Sequence, residues 1–379
     1  MTDDTAVHPF QVDVPRAEVD DLRERLARTR WPADQRLDGQ RGLPPTLLRE
    51  LAARWSDGWD WRAQEAALNR WPQVSTTIDG TTVHALHVRA ARPGAPTLVL
   101  LHGWPGSVVE FSRVLGPLTD PAAHGGDPAD AVSLVVPSLP GYGFSGPTPD
   151  GGWTTPRMAA AVGELLSRLG VDRYVVHGGD WGSAVGRDLA VLAPDRVRGL
   201  HVTMTMGLDV TDPQDDAERA AAEKSRYYDT ELNGYNRLQA TRPLSLAPAL
   251  TDSPAGLLAW IAERFAEWTD PGSGVLTDPA LVDQVLTDVA VYWFTGTAGS
   301  SAQVYWERAH GPAARWSTDV PTGVAVLPHD LRRPVRRVVE PVVDLVSWTE
   351  FDRGGHFPAM EVPDLLVPEL RRFVGQVLA

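Results

Sequence analysis

The chain has 379 residues, and with 43% hydrophobic and 22% charged residues its composition is that of an ordinary globular protein. The net charge of −14 argues against nucleic acid as a partner, because a surface that binds phosphates needs a basic field. There is no cysteine, which excludes disulfides, cysteine zinc sites and thiol nucleophiles.

The first segment, residues 1–74, is predicted to be a helical N-terminal extension. Apolar residues recur at helical spacing in VDDLRERLARTRW and again in PTLLRELAARW. The spacing of the apolar residues then changes from that of a helix to that of strands. STTIDG and TVHALHV are predicted to be paired strands joined by a turn at Asp79-Gly80.

Short apolar runs alternate with helical patterns over residues 75–207, the first predicted part of an α/β core. The run TLVLL covers 97–101, and three others resemble it: SLVVPS (133–138), YVVHGG (174–179) and VRGLHVTM (197–204). Helical patterns such as MAAAVGELLSRLG lie between them. Strands that alternate with helices form parallel, doubly wound sheets, so we predict a mostly parallel sheet.

The alternation stops near Met206, and residues 208–305 are predicted to be a helical cap. Strands resume with TGVAVLP (322–328) and DLVSWTEF (344–351), and the helix PDLLVPELRRFVGQVL follows them. Residues 306–379 are therefore the second predicted part of the core. An eight-stranded, mostly parallel sheet with a helical insertion after its sixth strand is the outline of an α/β-hydrolase.

The strongest chemical signal is Gly178-Gly179-Asp180-Trp181-Gly182, which lies between an apolar strand and a helical pattern. This is the Gly-x-nucleophile-x-Gly elbow, with aspartate where ester hydrolases place serine. The structural alternative is a glycine-rich turn whose aspartate caps the helix. A carboxylate that attacks saturated carbon leaves an ester, which water can then hydrolyse. The elbow therefore indicates an epoxide or an alkyl halide as substrate.

Two tryptophan amides are the predicted oxyanion hole. HGWP follows the TLVLL strand, and in this fold that loop supplies one N–H group while the residue after the nucleophile supplies the other. These are the main-chain N–H groups of Trp104 and Trp181, which would stabilise the tetrahedral intermediate of ester hydrolysis. For His102 we favour a structural role in the tight turn.

The base and its acid partner are expected beyond the last two strands. His356 lies in the turn RGGHF after DLVSWTEF, where the chain order nucleophile, acid, histidine places the last member of a triad. Asp330 follows TGVAVLP and is the predicted acid. Glu350 and Asp352 compete for this role, but they lie too near His356 along one strand end to orient its ring well.

An epoxide makes one further demand, because its ring oxygen becomes an alkoxide that needs a proton or a hydrogen bond. Tyrosine hydroxyls in the cap are suitable donors. The candidates are Tyr227, Tyr228, Tyr235, Tyr292 and Tyr305. Tyrosines are usually amphipathic packing residues, so composition alone does not choose among the five.

Taken together, these motifs resemble the epoxide hydrolase family that includes the microsomal enzymes and their fungal and bacterial relatives. The matching segments run nearly the full length: LNRWPQVSTTIDG, HGWPGS, PSLPGYGFS, HGGDWGS, YWFTGTAGSS and DRGGHFPAMEVPDLL. The resemblance implies that Asp180 is the nucleophile, His356 the base and Asp330 the acid. It also implies that Tyr235, in NGYNRLQATRP, and Tyr305, in SSAQVYWE, open the ring.

The predicted reaction converts an epoxide and water to a vicinal diol through an alkyl-enzyme ester on Asp180. The nearest alternative is a haloalkane dehalogenase, which shares an aspartate followed by tryptophan, although the two tyrosine segments argue against it. The other alternative is a catalytically dead hydrolase fold that only binds, which the full set of catalytic residue types disfavours. Detoxification, catabolism and natural-product assembly all stay open as roles.

The expected partner is a small-molecule epoxide, with no cofactor, no metal, no nucleic acid and no membrane; a homo-oligomer stays open. No stretch approaches about 18 uninterrupted apolar residues, and the first residues do not resemble a secretory signal. The membrane-anchoring segment of the animal microsomal enzymes is also missing. We therefore expect a cytoplasmic protein, and the composition rich in Ala, Arg and Asp indicates a bacterial source.

Overall fold

A computed structural model describes residues 5–33, 41–312, 316 and 318–379 of the chain. Within these residues one sheet contains nine strands, in the order β1-β2-β3-β5-β4-β6-β7-β8-β9. The strands are His8–Phe10 (β1), Gln73–Ile78 (β2), Thr81–Val88 (β3), Thr97–Leu101 (β4), Ser133–Pro137 (β5), Tyr174–Gly178 (β6), Val197–Val202 (β7), Thr318–Val326 (β8) and Val343–Glu350 (β9).

Most of the sheet is parallel. Strands β5, β4, β6, β7, β8 and β9 pair in parallel, whereas β1, β2 and β3 are antiparallel to one another and β3 is antiparallel to β5. The sheet has one strand more than the eight expected, because His8–Phe10 pairs with β2 at the edge. Three residues are too few to show the alternation by which a strand is recognised in a sequence.

The described helices pack on both faces of the sheet. Their bounds are Arg16–Ala27 (α1), Pro45–Ala53 (α2), Trp61–Asn69 (α3), Ser112–Thr119 (α4), Thr155–Arg168 (α5), Asp180–Leu192 (α6), Asp216–Tyr227 (α7), Gly234–Thr241 (α8), Pro243–Asp252 (α9), Pro254–Trp268 (α10), Pro279–Thr295 (α11), Ala298–Ser301 (α12), Gln303–His310 (α13), Arg336–Val339 (α14), Pro358–Glu361 (α15) and Pro363–Leu378 (α16). Two short π-helical turns, Arg54–Gly58 and Tyr228–Leu232, interrupt the helical segments.

Alternate residues of the central strand β4 lie in two separate cores. Leu98 and Leu100 pack with the apolar face of α16, while Val99 and Leu101 pack with α5 and α6. Because successive side chains of a strand point to opposite faces, both faces of β4 are buried. This explains why TLVLL is apolar throughout instead of alternating.

The cap consists of α7–α13, between β7 and β8. The division predicted between residues 305 and 306 lies inside α13, so Tyr305 belongs to a helix that continues to His310. The predicted extension 1–74 includes residues 1–4 and 34–40, which are outside the described part of the chain. None of the described helices is both long and apolar enough to cross a bilayer.

The N-terminal segment packs directly on the cap. Arg54 forms an ion pair with Asp283 at 2.7 Å, and the indole N–H of Trp59 donates to Thr287 Oγ1 at 3.3 Å. Both acceptors lie on α11, and α1 and α2 also contact α10. The N-terminal helices therefore hold two of the longest cap helices in place.

Candidate active site

Asp180 occupies a strained turn between β6 and α6. Its φ is 44°, in the left-handed region that residues other than glycine rarely adopt, at a cost of about 1–3 kcal/mol. The flanking glycines are required sterically, since a Cβ at Gly178 would overlap the main chain of Gly182, and a Cβ at Gly182 would overlap the carbonyl group of Leu101. Strain of this kind is characteristic of a nucleophile elbow.

The side chain of Asp180 does not cap its own helix. The residue before the helix is Gly179, which has no side chain, and Asp180 is the first helical residue. Its carboxylate instead accepts a hydrogen bond of 2.8 Å to Oδ1 from the main-chain N–H of Trp104. The capping alternative therefore does not describe this turn.

One of the two predicted oxyanion donors contacts the Asp180 carboxyl group directly. Trp104 N–H already touches Oδ1, and Gly103 lies so close that a Cβ there would overlap the carboxylate. Trp181 N–H belongs to the first turn of α6, where N–H groups have no acceptor within the helix. The helix N-terminus also favours negative charge at this position.

His356 and Asp330 form a buried pair beside Asp180. His356 Nδ1 lies 2.6 Å from Asp330 Oδ1, and His356 Nε2 lies 3.5 Å from Asp180 Oδ2. Asp330 Oδ1 also accepts the main-chain N–H of Leu331 at 2.7 Å, and the N–H of His356 donates to the carbonyl oxygen of Trp268 at 2.8 Å. Both ends of the pair are thereby held by main-chain bonds.

The two competing carboxylates point elsewhere. Glu350 is exposed, forms an ion pair with Arg333 at 2.7 Å and accepts the indole N–H of Trp348. Asp352 is also exposed, in the turn that precedes the histidine loop. Of the three candidates, Asp330 is the one in contact with the imidazole ring of His356.

The charge of His356 depends on both neighbouring carboxylates. Burial lowers the pKa of His356, but the anions of Asp330 and Asp180 outweigh burial and raise the pKa well above its ordinary value. In the resting site the two anions therefore favour the protonated imidazole. Removal of the Asp180 charge, as in an ester, would remove one of the two groups that raise the pKa.

Tyr235 and Tyr305 lie against Trp104 and Trp181, the two tryptophans next to Asp180. The ring of Tyr235 stacks on Trp104 at a centroid distance of 5.1 Å, and Tyr305 meets the ring of Trp181 edge-on at 4.9 Å. The two tyrosine rings are 5.8 Å apart and nearly perpendicular. Burial raises the pKa of both phenols well above the ordinary value, so both hydroxyls keep their protons at neutral pH.

The other three tyrosines occupy different environments. Tyr227 is 55% exposed, and Tyr292 donates its hydroxyl to the carbonyl oxygen of Gly106 at 2.8 Å. Tyr228 is buried, with its hydroxyl oxygen 2.8 Å from that of Tyr235. The structure thus brings Tyr228, Tyr235 and Tyr305 together and leaves the other two outside.

One cavity of about 400 Å³ joins these groups, a volume that suits a small organic molecule. It is lined by Asp180, Trp181 and the three buried tyrosines, and also by residues that the sequence did not single out: Met204, Met206, Asp209, Arg308, Leu331 and Arg332. Five of these residues lie in the segments that follow the two strands: Met204, Met206 and Asp209 after β7, and Leu331 and Arg332 after β8. The carboxyl ends of parallel strands are where such sheets bind ligands, so their position was the available signal.

His102 connects two loops beneath the site. Its Nε2 accepts the main-chain N–H of Leu139 at 3.1 Å, and its Nδ1 lies 3.0 Å from the carbonyl oxygen of Gly103. These bonds require a neutral ring that is protonated on Nδ1, and burial lowers the pKa of His102 to about 4. The contacts are those of a structural histidine.

The sheet order and the aspartate elbow are those of an α/β-hydrolase. A family model described as alpha/beta hydrolase fold matches residues 96–339. A second model, described as Epoxide hydrolase N terminus, matches residues 7–111, which include the N-terminal helices and the first strands. The fold class predicted from the sequence is confirmed.

Curated relatives and solved structures agree with the second model. A Stigmatella aurantiaca protein named "Putative epoxide hydrolase" is 41% identical, over 98% of this chain and 86% of its own length. Epoxide hydrolase 1 of Sus scrofa is 33% identical, over 98% and 89%. The structure of Aspergillus niger epoxide hydrolase is 30% identical and has a TM-score of 0.87, over 98% of this chain and 97% of that one. This chain belongs to the epoxide hydrolase family, as its motifs predict.

Proposed function

We propose that this enzyme adds water to a small-molecule epoxide and releases a vicinal diol, in two steps through an ester on Asp180. The observation that supports this most directly is the placement of two buried phenols, Tyr235 and Tyr305, in the same cavity as the carboxylate. A carboxylate supplies the nucleophile, and protonated phenols supply what an epoxide oxygen needs when the ring opens.

In the first step the carboxylate of Asp180 attacks one carbon of the epoxide. The C–O bond of the ring breaks, and the ring oxygen takes a proton from Tyr235 or Tyr305. Esterification removes the negative charge of Asp180, so the pKa of His356 falls. The proton that His356 then releases can return to the phenolate, which leaves the imidazole neutral and able to act as a base.

In the second step His356 removes a proton from water, which attacks the ester carbonyl of Asp180. The oxyanion is stabilised by the N–H groups of Trp104 and Trp181. Its collapse releases the diol and restores an anionic Asp180 beside a protonated His356, which is the resting arrangement. Every group therefore regains its initial protonation state, and each cycle consumes one water molecule for each epoxide.

Dehalogenation of an alkyl halide is the alternative reaction that an experiment must distinguish from epoxide hydrolysis. Purified enzyme offered a panel of small epoxides is expected to form diols, which chromatography detects. The same enzyme offered chloroalkanes of similar size is expected to release chloride far more slowly, because the two phenols are placed for an oxygen leaving group. Chloride release at a rate that matches diol formation would favour a dehalogenase.

The acid partner gives a second expected result. Asp330→Asn should slow ester hydrolysis by up to about 10⁴-fold, as the loss of the carboxylate partner does in a Ser-His-Asp triad, while ring opening changes much less. Without this anion the pKa of His356 is lower, so the acid limb of any residual hydrolysis should move to lower pH. Stopped-flow measurement of the two steps across pH tests both expectations.

The competing carboxylates provide matched controls for this variant. Glu350→Gln and Asp352→Asn remove the same charge from positions near His356 in sequence but outside the site. Both are expected to hydrolyse the ester at the rate of the wild type. A slow Glu350→Gln variant together with a normal Asp330→Asn variant would transfer the role of the acid to Glu350.

We further propose, on the basis of its composition, that the protein is bacterial and resides in the cytoplasm. Fractionation of the native organism with an antibody against the chain tests the location. Recovery in a membrane or secreted fraction would contradict it.

A further inference from the structure

Two phenol hydroxyls form a hydrogen-bonded pair at one side of the cavity. The oxygens of Tyr228 and Tyr235 are 2.8 Å apart, and the two side chains are 6% and 4% exposed. Each phenol carries a single proton, so only one proton can lie between the two oxygens. The direction of this bond decides whether the proton of Tyr235 is free or already engaged.

A guanidinium group accompanies each ring of the pair, partly exposed at Tyr228 and buried at Tyr235. The guanidinium of Arg332 lies 4.9 Å from the ring centroid of Tyr228, and Asp209 and Asp229 hold it there at 2.7 and 2.5 Å. Such a contact attracts the cation to the ring face and favours negative charge on the phenol oxygen. Arg332 therefore makes Tyr228 a stronger acid.

On the other ring, the guanidinium of Arg264 lies 4.9 Å from the centroid of Tyr235, and Glu267 and Glu263 are its ion-pair partners. Arg264 is only 4% exposed, and its guanidinium also lies 5.7 Å from the centroid of the Trp268 ring. Negative charge that develops on Tyr235 would therefore form beside a cation shielded from water, where attraction between charges is strong.

The two phenols differ in acidity. Burial raises the pKa of both, but the pKa of Tyr235 is raised well above the ordinary value, whereas, apart from the shared bond, the hydrogen bond with Asn236 and the charge of Arg332 partly oppose burial at Tyr228. In a pair of neutral phenols the stronger acid is the better donor. The hydroxyl of Tyr228 should therefore donate to the oxygen of Tyr235.

We propose that Tyr228 is a positioning residue for ring opening, whose hydroxyl donates to Tyr235 Oη and leaves the single proton of Tyr235 free for the epoxide oxygen. This inference rests on the proposed function. When the O–H bond of Tyr235 breaks and the O–H bond of the product forms, the phenolate left on Tyr235 keeps the hydrogen bond from Tyr228 and the cation of Arg264. His356 later supplies the proton that restores it.

The two ring-opening tyrosines are then unequal. Among the described residues the buried hydroxyl of Tyr305 forms no hydrogen bond of ordinary length, although it lies close enough to Tyr235 to oppose the rise of that phenol's pKa. A phenolate on Tyr305 would have no comparable support, so Tyr305 donates a hydrogen bond to the ring oxygen while Tyr235 transfers the proton. Tyr228 should consequently affect the reaction through Tyr235 and not through Tyr305.

Tyr228→Phe tests this directly, because it removes one hydroxyl and keeps the ring under Arg332. We expect the rate of ester formation to fall about tenfold or more, as for the loss of one hydrogen bond to a developing charge, with ester hydrolysis unchanged. The matched control is Tyr227→Phe, at a neighbouring position that is 55% exposed, which should leave both steps unchanged. Single-turnover kinetics resolve the two steps.

A double-mutant cycle separates positioning from a general structural effect. In the Tyr235→Phe background, Tyr228→Phe should cause no further loss of ester formation, whereas in the Tyr305→Phe background it should cause its full loss. An equal loss in all three backgrounds would show that Tyr228 only packs, and would overturn the proposal.

Measurement of diol formation by the wild-type enzyme distinguishes a failure of the proposed function from a failure of the role proposed for Tyr228. If the wild type forms diol but Tyr228→Phe forms the ester at the wild-type rate, the role of Tyr228 is wrong and the proposed function stands. If the wild type forms no diol from any epoxide, the proposed function fails and the role of Tyr228 fails with it. A melting temperature of Tyr228→Phe near that of the wild type confirms that a slow variant is folded.

Discussion

Replacement of His356 by alanine is expected to stop the enzyme after one ring opening, with the substrate left as an ester on Asp180. The variant keeps the nucleophile, the two phenols and the oxyanion donors, so the first step retains all its groups. The second step loses the base that removes a proton from water, which should slow hydrolysis about 10²–10⁴-fold. Mass spectrometry should find the peptide that carries Asp180 heavier by the full mass of the epoxide.

The same variant distinguishes a covalent route from direct attack by water. If Asp180 or His356 served only as a general base, Asp180 would never be modified and no adduct would form.

A single turnover of the wild type in ¹⁸O-labelled water tests the covalent route independently. The covalent route places the label in Asp180 and leaves the first diol largely unlabelled. Label in that first diol, with no adduct on the alanine variant, would contradict the covalent mechanism.

His356→Ala also alters the charge of the resting site, which calls for a control. The imidazolium forms an ion pair with Asp180 at 3.5 Å, so its loss changes the surroundings of the nucleophile. His356→Gln keeps a polar side chain at this position and likewise lacks a base. Both variants should accumulate the adduct, and accumulation in neither would place the base elsewhere.

The arrangement of the candidate site could be predicted from the sequence because its signals are local. A buried parallel strand is a short apolar run, and the glycines around Asp180 are required by overlaps with the adjacent main chain. Asp330 could be ranked above Glu350 and Asp352 by its position after a separate strand, and it is the candidate that contacts His356. In each case the sequence signal is local, although the contacts themselves, Gly182 with Leu101 and Asp330 with His356, join separate segments.

The cap could not be predicted to the same depth, because its contacts join distant segments. Tyr228 and Tyr235 are separated by a π-helical turn and a helix break, so their hydroxyl contact depends on how two helices meet. Arg264 lies in the pattern ERFAEW, where an arginine would ordinarily face solvent. Arg264 is instead buried against two aromatic rings. Tyr235 comes from a different helix, α8, and Trp268 lies one turn further along the same helix, α10.

The double variant Tyr235→Phe/Tyr305→Phe is expected to lose ring opening almost completely. Each hydroxyl that donates to a developing alkoxide contributes about 1.5–3 kcal/mol, so removal of both should slow ester formation by about 10²–10⁴-fold. Both rings remain in place, which preserves their packing on Trp104 and Trp181. Rapid-quench measurement of the ester on Asp180 reports this step alone.

The hydrolytic half of the cycle supplies the control for this double variant. The phenols take no part in the attack of water on the ester, so an ester formed slowly should still be hydrolysed at the rate of the wild type.

The choice of substrate gives a further test of the double variant. An epoxide whose alkoxide is a weaker base needs less help from a hydrogen-bond donor, so its rate of ester formation should fall less in the double variant. The single variants should rank in order, with Tyr235→Phe slower than Tyr305→Phe, because only Tyr235 has a second phenol and a buried cation to support its charge. If the double variant forms the ester at the wild-type rate, neither tyrosine opens the ring, and the donor must be sought among the other polar groups of the cavity.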